Sequence, residues 1–114
     1  MTYVVLDSCV DVLDRSCTET CPVDCIYEGA RKLYINPDEC IDCGACEPVC
    51  PQDAIVRDDK LTPSEASMRE DNADFFRNVL RGRATPLGEP GGAADVGPTG
   101  VDTDRVRSLP AVTL

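Results

Sequence analysis

The chain has 114 residues and a formal net charge of −10, so its length suits one domain with room for a short appendage. Such an acidic chain is a poor match for nucleic acid or for an anionic membrane, because both carry negative charge. Only 4% of the residues are aromatic. An apolar core built from so few large side chains is thin, and we expect metals or disulfides to stabilise it.

Short strands are predicted first along the chain. Residues 2–6 are β-branched and aromatic, which is typical of a strand. Residues 26–29 and 33–35 flank Ala-Arg-Lys and predict a hairpin whose turn begins at Gly29. Residues 54–57 predict a last short strand, which the internal repeat described below pairs with residues 2–6.

Between these strands lies a C-x2-C-x2-C-x3-C-P run formed by Cys40, Cys43, Cys46, Cys50 and Pro51. This spacing is typical of bacterial iron–sulfur proteins. In proteins with two clusters, the fourth cysteine of such a run ligates the other cluster. The run therefore predicts a partner set of cysteines earlier in the chain.

Aligning the chain with itself finds that set. Three cysteines of the first half have counterparts in the second half: Cys21 with Cys50, Cys17 with Cys46, and Cys9 with Cys40. Val12 stands where the counterpart of Cys43 would be, and it cannot bind iron. Cys25 aligns with Ala54, so we expect it to be a buried free thiol outside the ligand set.

The crossover rule assigns one cluster to Cys21, Cys40, Cys43 and Cys46, and the other to Cys9, Cys17 and Cys50. Four thiolates suit a [4Fe–4S] cluster, and three suit a [3Fe–4S] cluster. Asp11 and Asp14 flank Val12 and offer carboxylates for a fourth iron. Thiolate is the better ligand in such clusters, so the three-iron form is favoured.

Disulfides and zinc are the alternative explanations of eight cysteines. A disulfide framework needs export, and no signal-like or membrane-spanning apolar stretch is seen. The cysteines are therefore expected to be metal ligands in a reducing cytoplasm. Structural zinc sites often recruit histidine, and this chain has none. Sulfur ligands alone remain compatible with zinc. The colour of the protein would distinguish the two metals, because iron–sulfur proteins are brown and zinc proteins are not.

After residue 58 the sequence has no more cysteines, and its pattern predicts a helix followed by an irregular segment. Thr62-Pro63-Ser64-Glu65 reads as a capping box and predicts a helix over about 63–81, stopped at Gly82. Its expected core-facing residues are Ala73, Phe75, Phe76, Val79 and Leu80. Residues 82–100 are rich in glycine and proline, so they predict no regular element and are expected to wrap the core. Residues 101–114 predict a short helical turn before Pro110.

Apolar residues near the cysteines are expected to pack around the clusters: Val10, Ile26, Ile35, Ile41, Val49 and Ile55. With these motifs the chain resembles the bacterial seven-iron ferredoxins over about residues 1–57, notably at 21–29 (CPVDCIYEG) and 36–48 (NPDECIDCGACEP). Residues 72–76 and 86–94 resemble the long-tailed actinobacterial members. The resemblance implies an α+β fold: a pseudo-twofold ferredoxin fold with two short hairpin/helix halves around two clusters. Residues 1–57 would form the two-cluster core, and 58–114 a C-terminal helix and wrapping extension.

The resemblance implies a soluble, cytoplasmic one-electron carrier between a ferredoxin reductase and acceptors such as cytochromes P450. Docking through basic patches on these partners fits the acidic chain, and a monomer is expected. No nucleophile–base pair, phosphate loop or dinucleotide motif is visible, so we expect no enzyme. The alternatives are an iron- or oxygen-responsive sensor and a fixed subunit of a larger oxidoreductase. A sensor would normally carry a DNA-binding output element, and none is seen.

Overall fold

A computed structural model describes residues 3–10, 16–41, 46–49, 54–80, 84–88 and 90–109. The predicted ligands Cys43 and Cys50 lie outside these residues, as do Asp11, Val12, Asp14, Pro51 and Gly82. None of the described helices is long and apolar enough to cross a membrane.

Four short strands form two antiparallel pairs. The strands are β1 (Tyr3–Val5), β2 (Ile26–Glu28), β3 (Leu33–Ile35) and β4 (Ile55–Arg57). β1 pairs with β4, with Val5 opposite Ile55, and β2 pairs with β3, with Ile26 opposite Ile35. The predicted hairpin and the predicted pairing of the first and last strands are confirmed.

The β2–β3 hairpin separates two apolar cores, because successive side chains of a strand point to opposite faces. One, the cysteine core, contains Tyr3, Val5, Cys9, Cys17, Cys25, Ile26, Leu33, Ile35, Cys46, Ala54 and Ile55. The other, the aromatic core, contains Val10, Tyr27, Tyr34, Phe75, Phe76, Leu80 and Val106. The aromatic rings are in direct contact. Tyr34 stacks on Phe75 with centroids 3.9 Å apart, and Tyr27 meets Phe76 edge-on at 5.1 Å.

The helices are short, apart from one. They are α1 (Ser16–Thr20), α2 (Ala66–Arg77), α3 (Ala93–Val96) and α4 (Asp104–Arg107), with 3-10 turns at Asp7–Cys9, Glu47–Val49 and Asp58–Lys60. α4 lies where a helical turn was predicted. α2 packs on β1 and β3.

α2 is shorter at both ends than the predicted interval of 63–81. The Thr62 N–H donates to Glu65 Oε1 at 3.0 Å, as in a capping box, but the Glu65 N–H donates to the Thr62 carbonyl. These residues therefore close a turn before the helix begins. At the other end Asn78 is extended, so the helix stops at Arg77. Val79 is 55% exposed, and its predicted place on the buried face is wrong.

The helical turn α3 corrects the prediction that residues 82–100 hold no regular element. The first two backbone N–H groups of α3 donate hydrogen bonds to Asp24, which lies in a distant segment of the chain. The Asp24 carbonyl accepts from the Ala93 N–H, and Asp24 Oδ2 accepts from the Ala94 N–H, both at 2.7 Å. Asp24 has a positive φ of 52°, a conformation in which Asp is enriched. Local sequence does not show such a cap, because the two segments are about seventy residues apart.

Buried Asp102 fastens the C-terminal segment to the hairpin. Its Oδ1 accepts hydrogen bonds from the Tyr34 hydroxyl at 3.0 Å and from the Arg31 N–H at 3.2 Å. Gly29 permits this approach. A Cβ there would lie 2.8 Å from Tyr34 Cε1 and from the Val101 carbonyl oxygen, and it would also meet Asp102. The glycine is therefore required here for close packing.

Three of the six apolar residues expected around the clusters behave as predicted. Ile26, Ile35 and Ile55 lie in the cysteine core, whereas Val10 lies in the aromatic core. Ile41 is 59% exposed, but it lines the cavity that Cys21, Cys40 and Cys46 form, so it borders the predicted four-iron site without being buried. Val49 is 36% exposed, so its expected burial is wrong.

Asn72 of α2 completes the outer edge of β3. The Ile35 N–H donates to Asn72 Oδ1 at 3.0 Å, and Asn72 Nδ2 donates to the Ile35 carbonyl. Asn72 is 1% exposed, so water cannot replace these bonds. The Asn72 side chain thus makes the two hydrogen bonds to the Ile35 backbone that a neighbouring strand would otherwise make.

We predict that Asn72→Ala destabilises the protein, because each buried backbone group left without a partner costs about 1–3 kcal/mol. The control is Asn78→Ala, whose exposed side chain should change stability by less than about 0.5 kcal/mol. Anaerobic denaturant unfolding of the iron-loaded proteins, followed by circular dichroism, measures both. Equal stability of the two variants would contradict the role given to Asn72.

Candidate iron–sulfur site

Three of the predicted ligands of the four-iron cluster, Cys21, Cys40 and Cys46, line a single cavity. Cys21 follows α1 directly, Cys40 follows β3 by a short loop, and Cys46 precedes the turn Glu47–Val49. Cys25 lines the same cavity, and the other lining residues are Tyr3, Val23, Ile26, Ile35 and Ile41. The structure therefore brings cysteines of both halves of the chain to one apolar site.

Asn36 shapes the loop that presents Cys40. Its Oδ1 accepts from the Asp38 N–H at 3.0 Å, and its carbonyl accepts from the Cys40 N–H at 3.0 Å. Its Nδ2 donates to the Gly88 carbonyl at 2.8 Å, so the C-terminal extension holds this loop in place. The sequence shows Asn36-Pro37 only as a strand breaker. Its role in positioning Cys40 depends on Gly88, fifty-two residues away.

Cys25 lies against two of the predicted ligands. Its sulfur is 3.4 Å from that of Cys21, too far for a disulfide, whose S–S distance is near 2.05 Å. The Cys25 N–H also donates to the Cys21 sulfur at 3.4 Å. A hydrogen bond with Cys40, burial, and the neighbouring Cys21 all raise the pKa of the Cys25 thiol above its ordinary range. The Cys25 N–H thus donates to the sulfur of a predicted ligand, and hydrogen bonds of this kind tune cluster potentials.

Two predicted ligands of the three-iron cluster are also described. Cys9 ends the 3-10 turn Asp7–Cys9, and Cys17 lies in α1. They are 5% and 3% exposed, and both belong to the cysteine core. Their predicted partner Cys50 lies outside the described residues, as Cys43 does for the other cluster.

The donors and their surroundings fit iron–sulfur clusters. Thiolates are the ligands such clusters use, and an apolar lining keeps water away. A bound cluster supplies one-electron chemistry. Cys21, Cys40 and Cys46 would hold such a cluster, and the apolar lining of their cavity would shield it. These features define an iron–sulfur electron-transfer protein.

Comparisons with known proteins agree with this class. Residues 33–56 match the family described as 4Fe-4S binding domain. A protein named "Ferredoxin" from Mycobacterium tuberculosis is 60% identical, over 96% of each chain. A "Ferredoxin" from Saccharopolyspora erythraea is 56% identical, also over 96% of each chain. A "Ferredoxin 7Fe" from Hydrogenibacillus schlegelii is 51% identical, over 68% of this chain and 99% of its own. The chain belongs to the ferredoxin family, whose members are electron carriers rather than enzymes.

We predict that Cys25→Ala retains the iron of the wild type, because Cys25 has no place in the ligand pattern. The variant Cys21→Ala with Cys25→Ala should lose the four-iron cluster. The double change is needed because Cys21→Ala alone leaves the Cys25 thiol beside the site. Iron analysis and the visible absorption of anaerobically purified variants measure the outcome. Loss of a cluster in Cys25→Ala alone would make Cys25 a ligand.

Proposed function

We propose that the protein is a one-electron carrier with one [3Fe–4S] and one [4Fe–4S] cluster. The four-iron cluster is held by Cys21, Cys40, Cys43 and Cys46, and the three-iron cluster by Cys9, Cys17 and Cys50. The observation that carries the proposal is the single cavity lined by Cys21, Cys40 and Cys46. Cys21 belongs to the first half of the internal repeat and the other two to the second, as crossed ligation requires.

Two further observations support the cluster types. Val12 stands where the repeat would place the first-half counterpart of Cys43, so the first half offers one thiolate fewer. The relative from Hydrogenibacillus schlegelii bears the name "Ferredoxin 7Fe". In the proposed architecture, residues 1–57 form a pseudo-twofold two-cluster core. Residues 58–114 form an extension that packs on it through α2 and the aromatic core.

We predict an iron content of about seven per chain and an EPR signal from an oxidised [3Fe–4S] cluster, because one cluster lacks a fourth thiolate. Low-temperature EPR of the anaerobically isolated protein, oxidised and then reduced, measures this together with iron analysis. About eight tightly bound irons would overturn the three-iron assignment. Tightly bound zinc in a colourless protein would overturn both clusters.

The proposed partners are a ferredoxin reductase and acceptors such as cytochromes P450. Near the predicted ligands Cys40 and Cys46 in sequence, the apolar residues Ile41 and Val49 and the acidic residue Glu47 are exposed. Exposed apolar and acidic side chains close to a cluster suit a small, transient contact with a basic patch. The same proposal places the protein in the cytoplasm, where thiols stay reduced, as a monomer. A fixed subunit would instead elute with its partner in size-exclusion chromatography of native extract.

We predict that electron transfer from a reductase slows as salt is added, because the net charge of −10 attracts a basic partner over long range. The Debye length falls from about 30 Å at 0.01 M to about 10 Å at 0.1 M. The second-order rate from stopped-flow should fall severalfold over that range, with nearly constant potentials. A rate that stays flat or rises would show that docking is chiefly apolar.

A further inference from the structure

Arg31, in the turn of the β2–β3 hairpin, holds the short helix α4 in place. Its Nη1 donates to the carbonyls of Val106 and Leu109, both at 2.8 Å, at and just beyond the C-terminal end of α4. At the other end the Thr103 hydroxyl oxygen accepts from the Val106 N–H at 3.3 Å and caps the helix. α4 is therefore held at both ends, which fixes the backbone from which the Arg105 side chain extends.

Arg105 reaches from α4 to the 3-10 turn Asp7–Cys9. Its Nη1 and Nη2 donate to the two carboxylate oxygens of Asp7 at 2.9 and 2.5 Å, so the contact is bidentate. Nη1 also lies 3.6 Å from Asp71 Oδ2 of α2. Bidentate arginine–carboxylate pairs are directional and are among the stronger hydrogen-bonded ion pairs. Arg105 thus joins the C-terminal extension to a turn ninety-eight residues earlier in the chain.

The turn that Asp7 begins ends at Cys9, a predicted ligand of the three-iron cluster. Two backbone hydrogen bonds shape this turn: the Cys9 N–H donates to the Leu6 carbonyl at 3.1 Å, and the Val10 N–H donates to the Asp7 carbonyl at 2.9 Å. The hydrogen bonds of 3-10 turns have poorer geometry than those of α-helices, so a turn of three residues is not rigid by itself. Because Asp7 and Cys9 share it, a displacement of Asp7 displaces Cys9.

We propose that Arg105 is a positioning residue for the three-iron cluster. By clamping Asp7, it holds the turn that presents Cys9 and so keeps this cluster in the protein. Local opening of the turn would expose the Cys9 thiolate and its iron to water and to chelators, and the clamp must break before the turn can open. Arg105 acts through Asp7 and takes no part in electron transfer itself. The inference rests on the proposed function, in which Cys9 ligates the three-iron cluster.

The two carboxylate partners of Arg105 offer a matched comparison. Asparagine has the size of aspartate but no charge and only one acceptor oxygen. Asp7→Asn breaks the bidentate pair in the turn of Cys9, whereas Asp71→Asn weakens the other pair and leaves Asp7 clamped. The Asp71 side chain is 7% exposed and that of Asp7 is 28% exposed. If cluster retention followed overall stability alone, the more buried Asp71 would matter at least as much.

The test is the rate at which full-length, iron-loaded protein loses each cluster to excess EDTA under anaerobic conditions at pH 7. Samples taken over time are measured by EPR, oxidised for the three-iron cluster and reduced for the four-iron cluster. We expect Arg105→Met and Asp7→Asn to lose the three-iron signal about fivefold faster than the wild type, equivalent to about 1 kcal/mol of turn stability. The four-iron cluster should be lost at nearly the wild-type rate.

Two further variants separate the geometry of the clamp from its charge. Arg105→Lys keeps the positive charge but cannot form the same bidentate contact, so its rate should lie between those of the wild type and Arg105→Met. The matched control is Arg107→Met on the same helix. Arg107 is exposed and pairs with Asp104 at 3.5 Å, so this substitution should change neither rate comparably.

Equal three-iron loss in the wild type, Arg105→Met and Asp7→Asn would overturn the proposal. An equally fast three-iron loss in Asp71→Asn would also overturn it, because Arg105 would then act through overall stability. The proposal fails as well if Arg105→Met and Asp7→Asn lose or fail to assemble both clusters alike. Variants that assemble the four-iron cluster alone would support it. A wild type without a three-iron EPR signal would instead refute the proposed function.

Discussion

The alternation of side chains along one short hairpin is the constraint on which the rest of this structure depends. Ile26 and Ile35 turn toward the cysteines, while Tyr27 and Tyr34 turn to the opposite face and meet α2. A shift of one residue in either strand would send the tyrosines into the cysteine core and the isoleucines against the helix. The register of three paired residues therefore fixes both where the clusters can lie and where the extension can pack.

The extension also fixes the ligand loops, through polar contacts with residues close to the cysteines. Asp24, next to Cys25, caps α3, and Asn36 connects the Cys40 loop to Gly88. Burial of the aromatic residues supplies the attraction between the two parts, and these hydrogen bonds fix their geometry. Because the bonds are shared, the loop that presents Cys40 cannot relax without disturbing the extension.

Much of this arrangement could be predicted from local pattern, and the rest depends on distant contacts. β-branched runs and the internal repeat were sufficient for the hairpin and for the pairing of β1 with β4. The start of α2, the turn α3 and the exposure of Ile41 were not predictable in this way. The Thr62–Glu65 motif can either begin a helix or close a turn, and α3 needs Asp24 from another segment. The burial of Lys32 is likewise not visible in the sequence, since a lysine between two strands is usually solvated.

Charge in this protein lies in two media that the structure separates. The acidic surface acts through water, where a Debye length of about 8–10 Å at physiological salt confines its effect mainly to approaching partners. Lys32 and Asp71 lie in the interior, where the effective dielectric constant is lower than that of water and salt screens charges less. Substitutions of surface charges should therefore change docking, whereas substitutions of these buried charges should change stability.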